Sequence, residues 1–101
     1  MPIWYNAYMW EIKYHRQAIK KVKKLPHHIL EKLDIWVEIA TQEGPNGLKA
    51  FPGFNDEALT GEWKGFRSSR LSRQYRVIYS LDKDVLRVLV VDVTAHDYKR
   101  S

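Results

Sequence analysis

Tyr75-Arg76-Val77-Ile78-Tyr79-Ser80-Leu81-Asp82-Lys83-Asp84-Val85-Leu86-Arg87-Val88-Leu89-Val90-Val91-Asp92-Val93 is the stretch that decides the fold. Two runs rich in β-branched and aromatic residues flank Asp82-Lys83-Asp84, a turn-forming triplet, which predicts an antiparallel hairpin. The second run, Val85 to Val93, is apolar at both parities, so it is expected to lie centrally with both faces covered. In the first, Tyr75, Val77, Tyr79 and Leu81 share one parity while Arg76 and Ser80 interrupt the other. That strand, Tyr75 to Leu81, should present one polar face.

Working outward, Trp63 to Leu71 is a third strand candidate. Before it, Gly44 to Gly61 carries Pro45, Asn46, Gly47, Pro52, Gly53, Asn55 and Asp56, which predicts a long loop. From His27 to Glu43, Leu30, Leu33, Val37 and Ala40, flanked by Ile29 and Trp36, form the apolar stripe of a helix that Gly44 and Pro45 should stop. A more basic helix precedes it, with Ala18, Val22 and Leu25 inward among Lys20, Lys21, Lys23 and Lys24, and Pro26 as punctuation. Trp10, Ile12 and Tyr14 alternate with Glu11 and Lys13 in a short strand over Met9 to Tyr14. Met1 to Tyr8 shows no period and reads as an extra N-terminal segment, either an edge piece or an arm. The expected architecture is α+β: an N-terminal strand, a helical hairpin, then a mainly antiparallel three-stranded meander. The length of 101 residues, with no repeat or linker, predicts one domain over 1–101.

Composition narrows the chemistry. The 17 Lys and Arg against 12 Asp and Glu give a formal charge of +5, which favours a polyanionic partner. The absence of cysteine excludes disulfides, thiolate zinc sites and a cysteine nucleophile. No apolar run is long enough to span a membrane and no signal-peptide pattern opens the chain, so a cytoplasmic protein with no membrane partner is expected. His27 and His28 are adjacent at a helix start and do not share a face, and His15 ends a strand without a visible partner. Neither metal nor cofactor is predicted.

Arg67, Arg70, Arg73 and Arg76 recur at three-residue intervals among serines and aromatics. Arginine forks grip phosphate oxygens, hydroxyls add neutral donors, and aromatics stack on unpaired bases. In an uninterrupted strand such spacing alternates faces, so at most two of the four share a surface unless a turn near Ser72 reorients them. A charged edge strand protected from pairing is the competing reading.

The ungapped segment from Glu57 through Leu59-Thr60-Gly61, Gly65-Phe66 and Arg70 to Arg76-Val77-Ile78-Tyr79 resembles the corresponding stretch of the YoeB toxin family. The wider RelE superfamily is similar in element order from about Met9 to Tyr98, including Leu25-Pro26 and Leu30-Glu31-Lys32-Leu33. The resemblance implies a RelE-like fold and a toxin of a type II toxin–antitoxin system. It implies metal-independent endoribonuclease cleavage of messenger RNA at the ribosomal A site, with a cognate antitoxin, mRNA and ribosomal RNA as partners. In that chemistry the 2′-hydroxyl attacks the adjacent phosphate, which calls for a base, a phosphate stabiliser and an acid. Carried over by motif, Glu57 is the base, Arg76 the stabiliser and His96 the acid. Tyr98 near the C-terminus is the alternative acid. Lys64, Arg67, Arg70, Arg73, Lys99 and Arg100 are then expected to bind RNA, together with Lys20 and Lys24 of the basic helix. The same superfamily includes ParE-like toxins that inhibit DNA gyrase without cutting RNA, and topology cannot separate the two.

Overall fold

The computed structural model describes residues 9–95. Its elements are β1 (Glu11–Tyr14), α1 (Arg16–Val22), α2 (His27–Ala50), β2 (Glu57–Ala58), β3 (Arg67–Arg70), β4 (Arg76–Asp82) and β5 (Arg87–Thr94), with 3-10 turns at Pro52–Phe54 and Gly61–Trp63. They form one sheet in the order β1-β5-β4-β3-β2, in which β1 runs parallel to β5 and the other neighbours are antiparallel. The predicted α+β order of strand, helix pair and meander is the observed one, enlarged by a fifth strand.

The hairpin forms as expected, with β4 and β5 paired from Arg76↔Thr94 to Asp82↔Arg87. Its turn takes residues 83–86, and Leu86 closes it at a left-handed φ of 51°. Val85 is therefore an exposed turn residue and not the start of the core strand. β5 lies between β1 and β4, but its two faces differ. Val88, Val90 and Val93 are fully or almost fully buried, while Leu89 and Val91 are half-buried, so coverage is complete on one face only.

That covered face meets the helices. Ala18 of α1 and Ile29, Leu33, Trp36 and Ala40 of α2 pack against Val77, Tyr79, Val88, Val90 and Val93. The α2 residues follow the spacing that puts side chains on one side of a helix, which is why this helix docks on a sheet face. Trp36 meets Tyr79 edge to face, with ring centroids 5.4 Å apart. Removing a side chain of this size from a closed core costs about 3 to 5 kcal/mol.

α2 departs from the expected stop. Gly44 breaks the helix at φ 64° and ψ −153°, a conformation that only glycine adopts at low cost, and a second helical stretch restarts at Pro45 and runs to Ala50. Gly44 also has no room for a side chain, since a β-carbon there would collide with the Trp10 indole. Beside it, the Trp10 amide donates to the Thr41 carbonyl at 2.8 Å, tying the residue before β1 to α2. This leaves β1 shorter than the expected Met9 to Tyr14. The predicted loop from Gly44 to Gly61 is largely ordered into that helical extension, the first 3-10 turn and β2.

Candidate nucleic-acid interface and catalytic face

β3 is the pivot of the site, because its two sides carry different chemistry. It pairs with β4 as Arg67↔Tyr79, Ser68↔Ile78, Ser69↔Val77 and Arg70↔Arg76. Side chains alternate along a strand, so Arg67 and Ser69 lie on the helix side with Val77 and Tyr79, whereas Ser68 and Arg70 share the outer face with Arg76.

On the outer face, β2 places Glu57 opposite Ser68. Ser68 is fully buried, and its Oγ accepts a hydrogen bond of 3.2 Å from Arg76 Nη1. Glu57 and Arg76 thus flank the same serine, on strands about 10 Å apart by ordinary sheet spacing. Both are ordered into the sheet beside Ser68, Arg76 buried with only 8% of its surface exposed and Glu57 half-buried. The two-residue strand β2 makes this possible, since it fixes in register a glutamate that the sequence placed in a loop. The Leu59 amide extends the pairing by donating to the Phe66 carbonyl at 2.9 Å. Gly65, at φ 98°, supplies the backbone turn that lets Phe66 enter β3 from the Gly61–Trp63 segment. Thr94 stands opposite Arg76 and ends β5. His96, Tyr98, Lys99 and Arg100 lie outside the described residues.

The four arginines separate. Ser72 Oγ accepts from the Gln74 and Tyr75 amides at 3.2 and 3.1 Å, stabilising the turn between β3 and β4. This reversal brings Arg70 and Arg76 opposite one another. Arg70 Nε is buried without a hydrogen-bond acceptor, and the residue lines a cleft with Lys32, Ile35, Phe51 and Phe54. Arg73 is exposed on the turn and borders a shallow depression with His28 and Gln74. Arg67 leaves the set, because its guanidinium is held on the helix side by Asp56, at 2.9 Å from Nε and 2.7 Å from Nη2 to Oδ1. The reason is parity: Arg67 stands three residues, an odd step, before Arg70 on the same strand, so the two point to opposite faces and β3 turns Arg67 inward.

Among the lysines, Lys20, Lys24 and Lys64 are exposed. Lys24 borders an open groove with Lys21, Tyr75, Thr94 and Ala95, beside the strand position that faces Arg76. Lys21 is ion-paired to Asp92 at 2.7 Å. His15, without an assigned partner in the sequence, caps α1: its Nδ1 accepts from the Gln17 amide at 3.2 Å. His27 pairs with Glu31 in an exposed contact of 3.2 Å. Among the described residues no group of three His, Cys, Asp or Glu side chains is placed to hold a metal, and no helix is long and apolar enough to cross a membrane.

The inner face holds what sequence reading missed. The Asp56 side chain is fully buried, and its Oδ2 accepts from Ser69 Oγ at 2.6 Å and from the Tyr79 hydroxyl at 2.5 Å. Burial, followed by the charge of Asp56, pushes the Tyr79 phenol far above its ordinary value. Burial disfavours the Arg67 charge, but the hydrogen bond and charge of Asp56 outweigh it and raise that guanidinium's affinity for its proton. The available signal was the polar pair Arg67 and Ser69, which shares its parity along the strand and needs an acceptor when turned inward.

The sequence matches the model of the ParE toxin of type II toxin–antitoxin systems, parDE, over residues 12–98. No curated protein matches it. Among solved structures, the YoeB/ParE toxin from Agrobacterium tumefaciens superposes with a TM-score of 0.67 at 17% identity, covering 86% of this chain and 99% of that one. The YoeB dimer from Staphylococcus aureus gives 0.70 at 18% identity, over 87% and 98% of the two chains. The E. coli DinJ–YafQ toxin–antitoxin complex gives 0.70 at 24% identity, over 86% and 92%. At these identities the likeness establishes a shared fold, while the family model spans most of the chain. The chain belongs to the ParE toxin family of type II toxin–antitoxin systems, within the RelE/ParE superfamily.

Proposed function

We propose that this toxin is an endoribonuclease that cuts messenger RNA at the ribosomal A site and is neutralised by a cognate antitoxin. The observation that carries the reading is the outer face of β3, where Glu57 and Arg76 flank Ser68 and Arg76 spends its described hydrogen bond on a neutral hydroxyl. In the reaction Glu57 takes the proton of the 2′-hydroxyl as its oxygen attacks the adjacent phosphorus. Arg76 stabilises the charge that builds on the phosphoryl oxygens, and Arg70, its partner across β3 and β4, adds a second positive charge. The bond to the 5′-oxygen breaks as His96, or Tyr98 in its place, supplies a proton. The products are a 2′,3′-cyclic phosphate and a 5′-hydroxyl, and no metal enters. Arg73, Lys64, Lys20, Lys24, Lys99 and Arg100 hold the RNA and ribosomal phosphates without reading sequence.

The match to the ParE model favours a second reading, in which the same fold inhibits DNA gyrase. One experiment separates them. Purified toxin is incubated with ribosomes stalled on a defined message and, in parallel, with gyrase and relaxed plasmid. The ribonuclease reading expects new 5′-hydroxyl ends in the A-site codon and normal supercoiling. Intact message with lost supercoiling establishes the gyrase reading instead.

A further inference from the structure

Asp56 and Glu57 are consecutive, yet they serve opposite faces of the sheet edge. Asp56 is buried on the helix side, where Arg67, Ser69 and Tyr79 together give its carboxylate four donor contacts between 2.5 and 2.9 Å. Glu57, one residue on, pairs with Ser68 on the outer side. β2 has only two residues, far too few ladder bonds to hold its own register. We propose that Asp56 is the positioning residue of this site: a buried clamp on β3 and β4 that fixes the register of β2 and so turns Glu57 towards Arg76. This rests on the reading of Glu57 as the base, but the clamp itself is a property of the free protein.

The chemistry explains why an acid is required. A carboxylate offers two acceptor oxygens and no donor, and here Oδ1 takes the Arg67 fork while Oδ2 takes two hydroxyls. An asparagine keeps the size but presents an N–H₂ to one of these donor sets. The clamp also joins three strands, since Asp56 precedes β2, Arg67 and Ser69 belong to β3, and Tyr79 belongs to β4. Releasing it frees β2 from the sheet while leaving the β4–β5 pairing and the helix packing in place.

Two measurements test this. In the free toxin, Asp56→Asn is expected to lower amide exchange protection at Leu59, whose N–H bonds Phe66, about tenfold more than at Val77 or Val90. Equal changes at all three, or none at Leu59, overturn the clamp. Ser69→Ala, which removes one of the four contacts, gives the same contrast at smaller amplitude if Asp56→Asn does not fold. In single-turnover cleavage, Asp56→Asn is expected to lower the rate about 100-fold with little change in KM. The double variant with Glu57→Gln should be no slower than Glu57→Gln alone, because both act through one group. Multiplying losses contradict the positioning role. A wild-type protein that cuts nothing refutes the ribonuclease reading, while the exchange contrast still decides the clamp.

Discussion

The two sides of β3 are built from nearly the same residue types and end in opposite states. On the helix side, Arg67 and Ser69 meet a buried carboxylate, and every donor in reach of it is engaged. On the outer side, Ser68 and Arg70 face Arg76, and one guanidinium bonds a neutral hydroxyl while the other has a buried Nε with no acceptor. Arginine beside a buried acid is structural. Arginine beside another arginine and a serine, largely buried and with no carboxylate bonded to Arg76 or Arg70 Nε among the described residues, is the side on which the proposed function places its anion. Substitutions on the two sides should therefore fail in different ways.

The largest expected effect is on the outer side. Arg76→Gln should lower the single-turnover cleavage rate by about 10³, the scale of losing a group aimed at developing charge. Its cost in urea unfolding should be about 2 kcal/mol, that of one buried hydrogen bond from a charged donor. The inner side inverts the pattern. Asp56→Ala leaves Arg67 short of its counter-charge and two hydroxyls unsatisfied, and should cost about 3 kcal/mol in the same measurement. Gly44→Ala should cost about 2 kcal/mol, since its positive φ is strained for alanine and the β-carbon meets Trp10.

The smallest effect is on pH dependence. The Tyr79 phenol is raised in the folded state, so its contribution is complete below the unfolded value near 10 and is lost as pH rises beyond it. Between those limits the folded state binds the extra proton, and stability should fall by about 1.4 kcal/mol per pH unit. Urea midpoints measured at pH 9, 10 and 11 should change little between the first two and approach this slope between the last two in the wild type, with a smaller fall in Tyr79→Phe.

Much of this was legible in the chain. The alternation of Tyr75, Val77, Tyr79 and Leu81 against Arg76 and Ser80 gave the face of β4, and the Gly44-Pro45 pair marked the true break in α2. Strand parity likewise implies that four arginines at three-residue spacing do not share one surface. What stayed hidden is tertiary. β2 is two residues long and has no period of its own, so Glu57 fell inside the predicted loop and its assignment as the base came from the resemblance alone. Asp56 looked like a turn former because its partners lie 11, 13 and 23 residues away. The continuation of α2 through Pro45 to Ala50 was masked because proline and glycine signal a stop equally well when a helix merely breaks and restarts.

The claim that the outer face performs the chemistry is tested most directly by mapping 5′ ends on a message translated in vitro with the wild-type, Glu57→Gln and Arg76→Gln proteins at equal folded concentration. The account predicts new ends at the A-site codon with the wild type and loss of those ends with either variant. Identical ends with all three proteins would contradict it.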